Sequence, residues 1–145
     1  MIRDIIPNDK TIFMEMAQKF YSSAAVAHNI DGAKLEAVFD AAVNGSPFIR
    51  AYIIEDEGEP AGFALVSHSF ATEVGGPVVM LEDLYISEAC RGKGLGGKFM
   101  RFLESSNPGV KRFRLEVTKE NIGAIGLYSR LGYKSLDYLQ MVKDI

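Results

Sequence analysis

The chain has 145 residues, with 19 acidic and 16 Lys or Arg side chains and a net charge of −3. At 48% apolar and 24% charged it is neither disordered nor collagen-like, and a domain of this length buries roughly two-thirds of its unfolded surface. A single cysteine excludes an internal disulfide and suits a reducing cytoplasm, while the mildly acidic balance gives no basis for broad nucleic-acid binding.

Met1–Ile6 alternates loosely and reads as a short strand ended by Pro7; Arg3 and Asp4 interrupt it, so no signal peptide is expected. Asn8 or Asp9 can cap a helix with Ile12, Met16 and Phe20 on one face. A second helix starts at Asp31, buries Leu35, Val38, Phe39 and Ala42, and stops at Gly45 before Pro47. Phe48–Glu55 and Pro60–Phe70 are β-rich segments joined by the hairpin turn Asp56-Glu57-Gly58-Glu59. The longest run free of Asp, Glu, Lys and Arg is the thirteen residues from Pro60 to Thr72, too short for a membrane helix. Gly75-Gly76-Pro77 marks another turn, and Val78–Ile86 follows as a strong strand. A glycine cluster then leads into a helix with Leu95, Phe99, Phe102 and Leu103 on one face, closed by Asn107-Pro108-Gly109. Lys111–Thr118 reads as a strand, Asn121–Leu131 as a helix closed by Gly132, and Tyr133–Lys143 as a final strand. The order β-α-α-β-β-β-α-β-α-β describes one mixed α/β domain over residues 1–145. Three consecutive central strands argue against a regularly alternating doubly wound sheet.

The 14 glycines exceed the roughly 10 expected at an abundance of about 7%. Gly92, Gly94, Gly96 and Gly97 account for the excess. Gly92, Gly94 and Gly97 spell a formal G-x-G-x-x-G, with Glu116 as the nominal distal acid of a dinucleotide site. That fingerprint opens directly after its strand, whereas here Ser87–Arg91 intervene. No G-x-x-x-x-G-K-[ST] is present, so a triphosphate loop is not indicated. Two readings remain: a glycine-rich connection without a ligand, or a pyrophosphate cradle. The cradle follows from close backbone approach, inward N–H groups, a helix N-terminus, and the charges of Arg91 and Lys93.

Arg91, Gly94 and Gly96 match the Arg/Gln-x-x-Gly-x-Gly/Ala signature of the GNAT superfamily of acyl-CoA N-acyltransferases, which the sequence resembles. The likeness extends back through Leu81-Glu82-Asp83-Leu84-Tyr85-Ile86 and forward through Asn121 to Tyr133, whose Asn…Ala…Tyr…Leu-Gly-Tyr order fits a second family motif. The resemblance implies a GNAT-like central mixed, largely antiparallel twisted sheet of six or seven strands flanked by four helices. It further implies that Arg91, Gly92, Lys93, Gly94, Leu95, Gly96 and Gly97 hold the CoA pyrophosphate. Leu84, Tyr85 and Ile86 would pair with the pantetheine arm, which Asn121 and Ala124 also contact. Acetyl-CoA is then the donor and CoA the product, with no metal. Cys90 stands where relatives often carry an aromatic residue, which matters little to a cradle made of backbone.

An attacking alkylamine, with a pKa of roughly 10.4, must lose a proton, and the departing thiolate must gain one. Tyr128, seven residues after Asn121, matches the family tyrosine that acts as the acid; the competing reading is a tyrosine packed by its ring on the sheet. Glu82 is the candidate base. Strict alternation sets Met80, Glu82, Leu84 and Ile86 on one side of the strand, and Leu81, Asp83 and Tyr85 on the other. A carboxylate among apolar neighbours is costly unless paired, solvated or used. The Leu81-Glu82-Asp83 run also resembles the spermidine/spermine N-acetyltransferase branch, where the matching glutamate is the proposed base, acting through water. A solvated or salt-bridged acid is the alternative, and Asp83 is expected to be structural or substrate-orienting. Cys90 lacks an evident histidine partner for covalent catalysis, and His28 and His68 lack the company of metal ligands.

The resemblance implies an acceptor site shaped by the first two helices and nearby loops, where Tyr21, Glu36, Phe39 and Asp40, with Glu82, Asp83 and Glu116, would suit a cationic amine, although Glu36 and Asp40 also fit a solvated helix face. The expected activity is acetyl transfer to a primary amine of a small molecule, by direct attack in a ternary complex in the cytoplasm. Acetylation of a protein N-terminus or lysine is the second reading, and a non-catalytic CoA-binding module the third. A homodimer is implied by the resemblance alone.

Overall fold

The computed structural model describes residues 1–28 and 30–145. Five strands form one sheet in the order β1 (Ile2–Asp4), β2 (Ile49–Asp56), β3 (Glu59–Ala71), β4 (Gly76–Ile86) and β5 (Arg112–Leu115). The pairs β1–β2, β2–β3 and β3–β4 are antiparallel, and β4–β5 is parallel. The hairpin between β2 and β3 turns at Glu57 and Gly58, both at positive φ, as the tight turn between twisted strands requires.

Helices α1 (Lys10–Tyr21) and α2 (Gly32–Val43) cover one face, where Phe13, Phe20, Leu35 and Phe39 pack with Ile53, Phe63, Leu65 and Tyr85. Helix α3 (Leu95–Ser105) covers the other face, its Leu95, Phe99, Met100 and Leu103 buried against Tyr52, Ala64, Val66 and Leu81. Helix α4 (Ile122–Arg130) adds Tyr128 to the margin of that second core. Asp31 caps α2 as its sequence predicts, accepting from Lys34 N–H at 3.0 Å. Asp9 precedes α1 without capping it. Its carboxylate instead accepts from Ile6 N–H and from Arg3, which also holds Glu55 at 2.7 Å. Arg3→Met leaves two buried carboxylates without their cation and is expected to cost about 2–3 kcal/mol in urea unfolding. An unchanged midpoint contradicts this.

Two expectations are corrected. The strand after Lys111 ends at Leu115, and Tyr133–Lys143 forms no strand, so the sheet has five strands where six or seven were expected. Apolar alternation becomes a strand only when a neighbouring edge takes its N–H and C=O groups. The four-residue β5 has no second partner among the described residues, and Tyr133 N–H bonds back to Tyr128 C=O. The tail leaves Tyr138, Leu139, Met141 and Val142 exposed, tied by the Tyr138 hydroxyl donating to Glu73.

The second correction concerns register. Leu65 pairs with Asp83 while Val66 pairs with Leu81, so Glu82 is an extra, bulged residue in β4. The bulge reverses the alternation. Leu81 faces α3 although Asp83 and Tyr85 face α1, and Leu84 and Ile86 then take the α3 side. Close strand approach beyond the bulge requires Gly62, where a Cβ would lie 2.2 Å from the Tyr85 carbonyl oxygen. Backbone cannot step aside as a flexible side chain can. Gly62→Ala is expected to destabilise by about 2–3 kcal/mol in thermal or urea unfolding; a neutral result contradicts the register.

Candidate active site

β5 pairs with β4 over Val78–Leu81, so among the described residues β4 has one open edge from Glu82 onward. Ser87 N–H bonds Ala61 C=O and the ladder sets Tyr85 opposite Phe63. The alternation of an antiparallel ladder therefore turns the N–H and C=O of Leu84 and Ile86 toward the open side. Arg91 Nε takes the Ile86 carbonyl at 3.1 Å, which leaves Leu84 and the Ile86 N–H.

A cleft of about 820 Å³ opens beside this edge. Its wall includes Leu84, Tyr85, Ile86, Arg91, Gly92, Gly94, Leu95, Gly96, Gly97, Asn121, Ala124 and Tyr128, all candidates from sequence. The glycines perform two different tasks. Gly92 and Gly94 have φ of +78° and +76° with open space around them, so they set a backbone path that L side chains rarely adopt. Gly96 and Gly97 instead admit Leu127 of α4, 3.3 and 3.7 Å from their missing Cβ atoms. Gly94 begins α3 without a side-chain cap, and the first bond into the helix is Lys98 N–H to Gly94 C=O. The N–H groups of Leu95, Gly96 and Gly97 thus lack helix acceptors at the positive end of the dipole, an arrangement that fits a pyrophosphate.

Asn121 caps α4, its side-chain oxygen accepting from Ala124 N–H at 3.2 Å, which leaves its amide NH2 to the cleft. Tyr128 is half-buried in the wall, 5.9 Å between ring centroids from Tyr133, and burial pushes its phenol pKa up. Lys93 does not line the cleft; it pairs with Asp56 at 2.6 Å.

The acidic residues separate into two groups. Asp83 is 6% exposed and accepts a 2.5 Å hydrogen bond from the Tyr21 hydroxyl. Burial, opposed by the Tyr21 bond and aided by Glu82, raises its pKa from 3.8 to about 6. Tyr21 is pushed far above the tyrosine range by burial and by Asp83. Glu82 is exposed on the bulge, not among apolar neighbours as strict alternation placed it, and accepts from Ser67 Oγ at 2.5 Å. It does not line the cleft, but precedes the lining residue Leu84 by two positions, about 6.6 Å along a strand. Glu36 lies apart, 3.6 Å from Lys10 between α1 and α2, and Glu116 is exposed just after β5. Sequence reasoning missed Arg130, which lines the cleft from the end of α4. It also missed the Tyr21–Asp83 bond as a unit, because the two residues are 62 positions apart.

A carboxyl whose folded pKa lies above its unfolded value disfavours the fold once it ionises. The penalty is absent below about pH 4, grows as pH rises through 6, and is complete above that. Asp83→Asn removes it while keeping an acceptor for Tyr21. Stability at pH 8 is expected to rise by roughly 2–3 kcal/mol, vanishing near pH 4, in paired urea titrations. A gain at pH 4 equal to that at pH 8 contradicts the assignment.

Among the described residues no group of three or more His, Cys, Asp or Glu is arranged to hold a metal, and no helix is long and apolar enough to cross a membrane. Residues 13–133 match the family model described as "Acetyltransferase (GNAT) family". The chain is 32% identical over 101 residues to a thialysine N-epsilon-acetyltransferase of Sus scrofa, covering 63% of this chain and 59% of that protein. It spans well under two-thirds of that relative's length. A structure described as a possible acetyltransferase from Clostridium difficile 630 superposes with a TM-score of 0.85 at 16% identity, covering 100% of this chain and 97% of that one. AAC(6′)-Iy in complex with the bisubstrate analogue CoA-S-monomethyl-acetylneamine gives 0.80 at 15% identity, covering 100% and 97%. At such identities the structures establish the shared fold, and the family model covers most of the chain. The chain belongs to the acetyltransferase (GNAT) family.

Proposed function

We propose that this protein transfers an acetyl group from acetyl-CoA to a primary amine of a small cationic molecule, by direct attack in a ternary complex. The observation that carries the reading is one cleft whose wall brings together an uncapped α3 N-terminus, an open β4 edge and Tyr128. When bound there, the thioester supplies an activated acetyl group.

The backbone of Gly92–Gly97 binds the pyrophosphate, and Leu84 and Ile86 offer strand-like bonds to the pantetheine arm. Asn121 holds the start of α4 and offers its amide to the same arm. Glu82, through water, takes the proton of the attacking amine. The nitrogen bonds to the carbonyl carbon, the carbon–sulfur bond breaks, and Tyr128 gives its proton to the sulfur. A phenol whose pKa is raised by burial stays protonated near pH 7 and is available for that donation. Asp83 and Glu82, adjacent acids on β4, favour an ammonium-bearing acceptor, and Tyr21 fixes the Asp83 carboxylate. The thialysine acetyltransferase and the aminoglycoside-type analogue on AAC(6′)-Iy are consistent with a small amine.

The test compares polyamines, aminoglycosides and amino-acid amines with lysine-bearing and free-N-terminal peptides, reading thiol release from acetyl-CoA. The expected result is kcat/KM at least about 10-fold higher on a small polycationic amine than on any peptide. The reverse order establishes the protein-acetylating reading.

A further inference from the structure

The two cations that the sequence puts on the glycine loop both have partners within the protein, although Arg91 also lines the cleft. Lys93 is held by Asp56, and Arg91 uses Nε on Ile86 C=O with its NH1 3.8 Å from Glu88. Two other arginines border the same cleft. Arg130 of α4 lines it, and Arg101 of α3 lies against the lining residue Gly97.

Each arginine follows a glycine by four residues, Gly126 before Arg130 and Gly97 before Arg101. Helical side chains lean toward the N-terminus of their helix, over the turn that precedes them. With no side chain at the position four residues back, the arginine folds across the bare backbone of that one glycine. Arg130 NH1 comes within 3.4 Å of the place a Cβ at Gly126 would occupy, and Arg101 NH1 within 3.5 Å of that at Gly97. Among the described residues neither guanidinium forms an ion pair or a hydrogen bond with the protein. Leu127, packed onto Gly96 and Gly97, seats α4 against the first turn of α3 and so brings the two arginine-bearing helices together. The acid on the cleft wall, Glu120, lies at the opposite end of α4 from Arg130.

The uncapped N–H groups of α3 suit a diphosphate whose oxygens lie against backbone. A phosphomonoester is a different ligand, close to doubly charged at neutral pH, and is matched by the fork of a guanidinium. The geometry points to Arg101 and Arg130 as a clamp for the 3′-phosphate of the CoA nucleotide, by which this chain selects CoA over its 3′-dephospho form. The inference rests on the reading of the cleft as the acyl-CoA site.

Calorimetric titrations with CoA and with dephospho-CoA test it, on the wild type and on the Arg101→Met/Arg130→Met double variant. The wild type is expected to bind CoA about 10–100-fold more tightly than dephospho-CoA. In the double variant the two affinities converge to within about threefold, with dephospho-CoA binding unchanged as the sign of an intact fold and cradle. Arg101→Lys/Arg130→Lys keeps the charge without the fork and is expected to retain an intermediate preference. Equal binding of both ligands by the wild type, or full preference kept by the methionine variant, overturns the clamp and leaves the acyl-CoA reading standing. Binding of neither ligand by the wild type overturns both.

Discussion

Tyr128→Phe is expected to lower kcat by about 100-fold or more while CoA affinity stays within about threefold. The substitution removes one oxygen from a half-buried ring in the cleft wall and leaves the packing against Tyr133 in place. It therefore separates proton donation from structure. Without a proton donor the sulfur must leave as the anion, a poorer leaving group than the thiol, so the loss falls on the chemical step and not on binding. Steady-state rates, backed by single-turnover kinetics that isolate chemistry and by calorimetry for CoA, give the readout. Full turnover in the variant with chemistry rate-limiting would mean that the acid lies elsewhere or that the ring acts only by packing.

Glu82→Gln is expected to reduce kcat/KM at neutral pH by about 30–100-fold and to abolish the acid limb of its pH profile. The residue is well placed for this task because the bulge turns it out of the ladder, two positions before Leu84, with Ser67 donating to its carboxylate. An exposed carboxylate reaches an acceptor amine through water at little desolvation cost. Asp83 is the internal comparison, since it sits next to Glu82 but is buried and fixed by Tyr21. If the acid limb survives in Glu82→Gln and disappears in Asp83→Asn, the base is Asp83. With Glu82 as the base, Asp83→Asn instead raises KM for the amine and leaves the limb in place.

The path of the glycine loop was legible because it depends on backbone freedom, which is written directly in residue type. Gly92 and Gly94 adopt the positive φ their identity permits, and the Asn121–Tyr128 spacing places both residues on the wall of the same cleft. Asp31 and Gly45 likewise mark helix ends through local rules of capping and left-handed geometry. What failed to read through depends on partners distant in the chain. The bulge at Glu82 is a count of β4 residues against β3, so strict alternation exchanged the surroundings of the two acids. The apolar alternation of Tyr133–Lys143 carried no information on whether an edge exists to receive it. The charge of Lys93 read as a ligand for phosphate because its partner, Asp56, lies 37 residues away in the hairpin. Arg130 lies inside the Asn121–Tyr133 likeness but at none of the positions that define its motif; its place on the wall follows from Leu127 docking on two glycines of another helix.

The most direct test of the central reading joins binding and chemistry in one sample. Acetyl-CoA is titrated calorimetrically into the protein, a polycationic primary amine is then added, and free thiol and N-acetylated amine are counted together. Saturable binding, no thiol before the amine, and one acetylated amine for every thiol released after it are expected. Thiol appearing before the amine would indicate an acetyl-enzyme, with Cys90 the residue to examine. Failure to bind acetyl-CoA, or binding followed by no thiol release with any amine or peptide, would contradict the account.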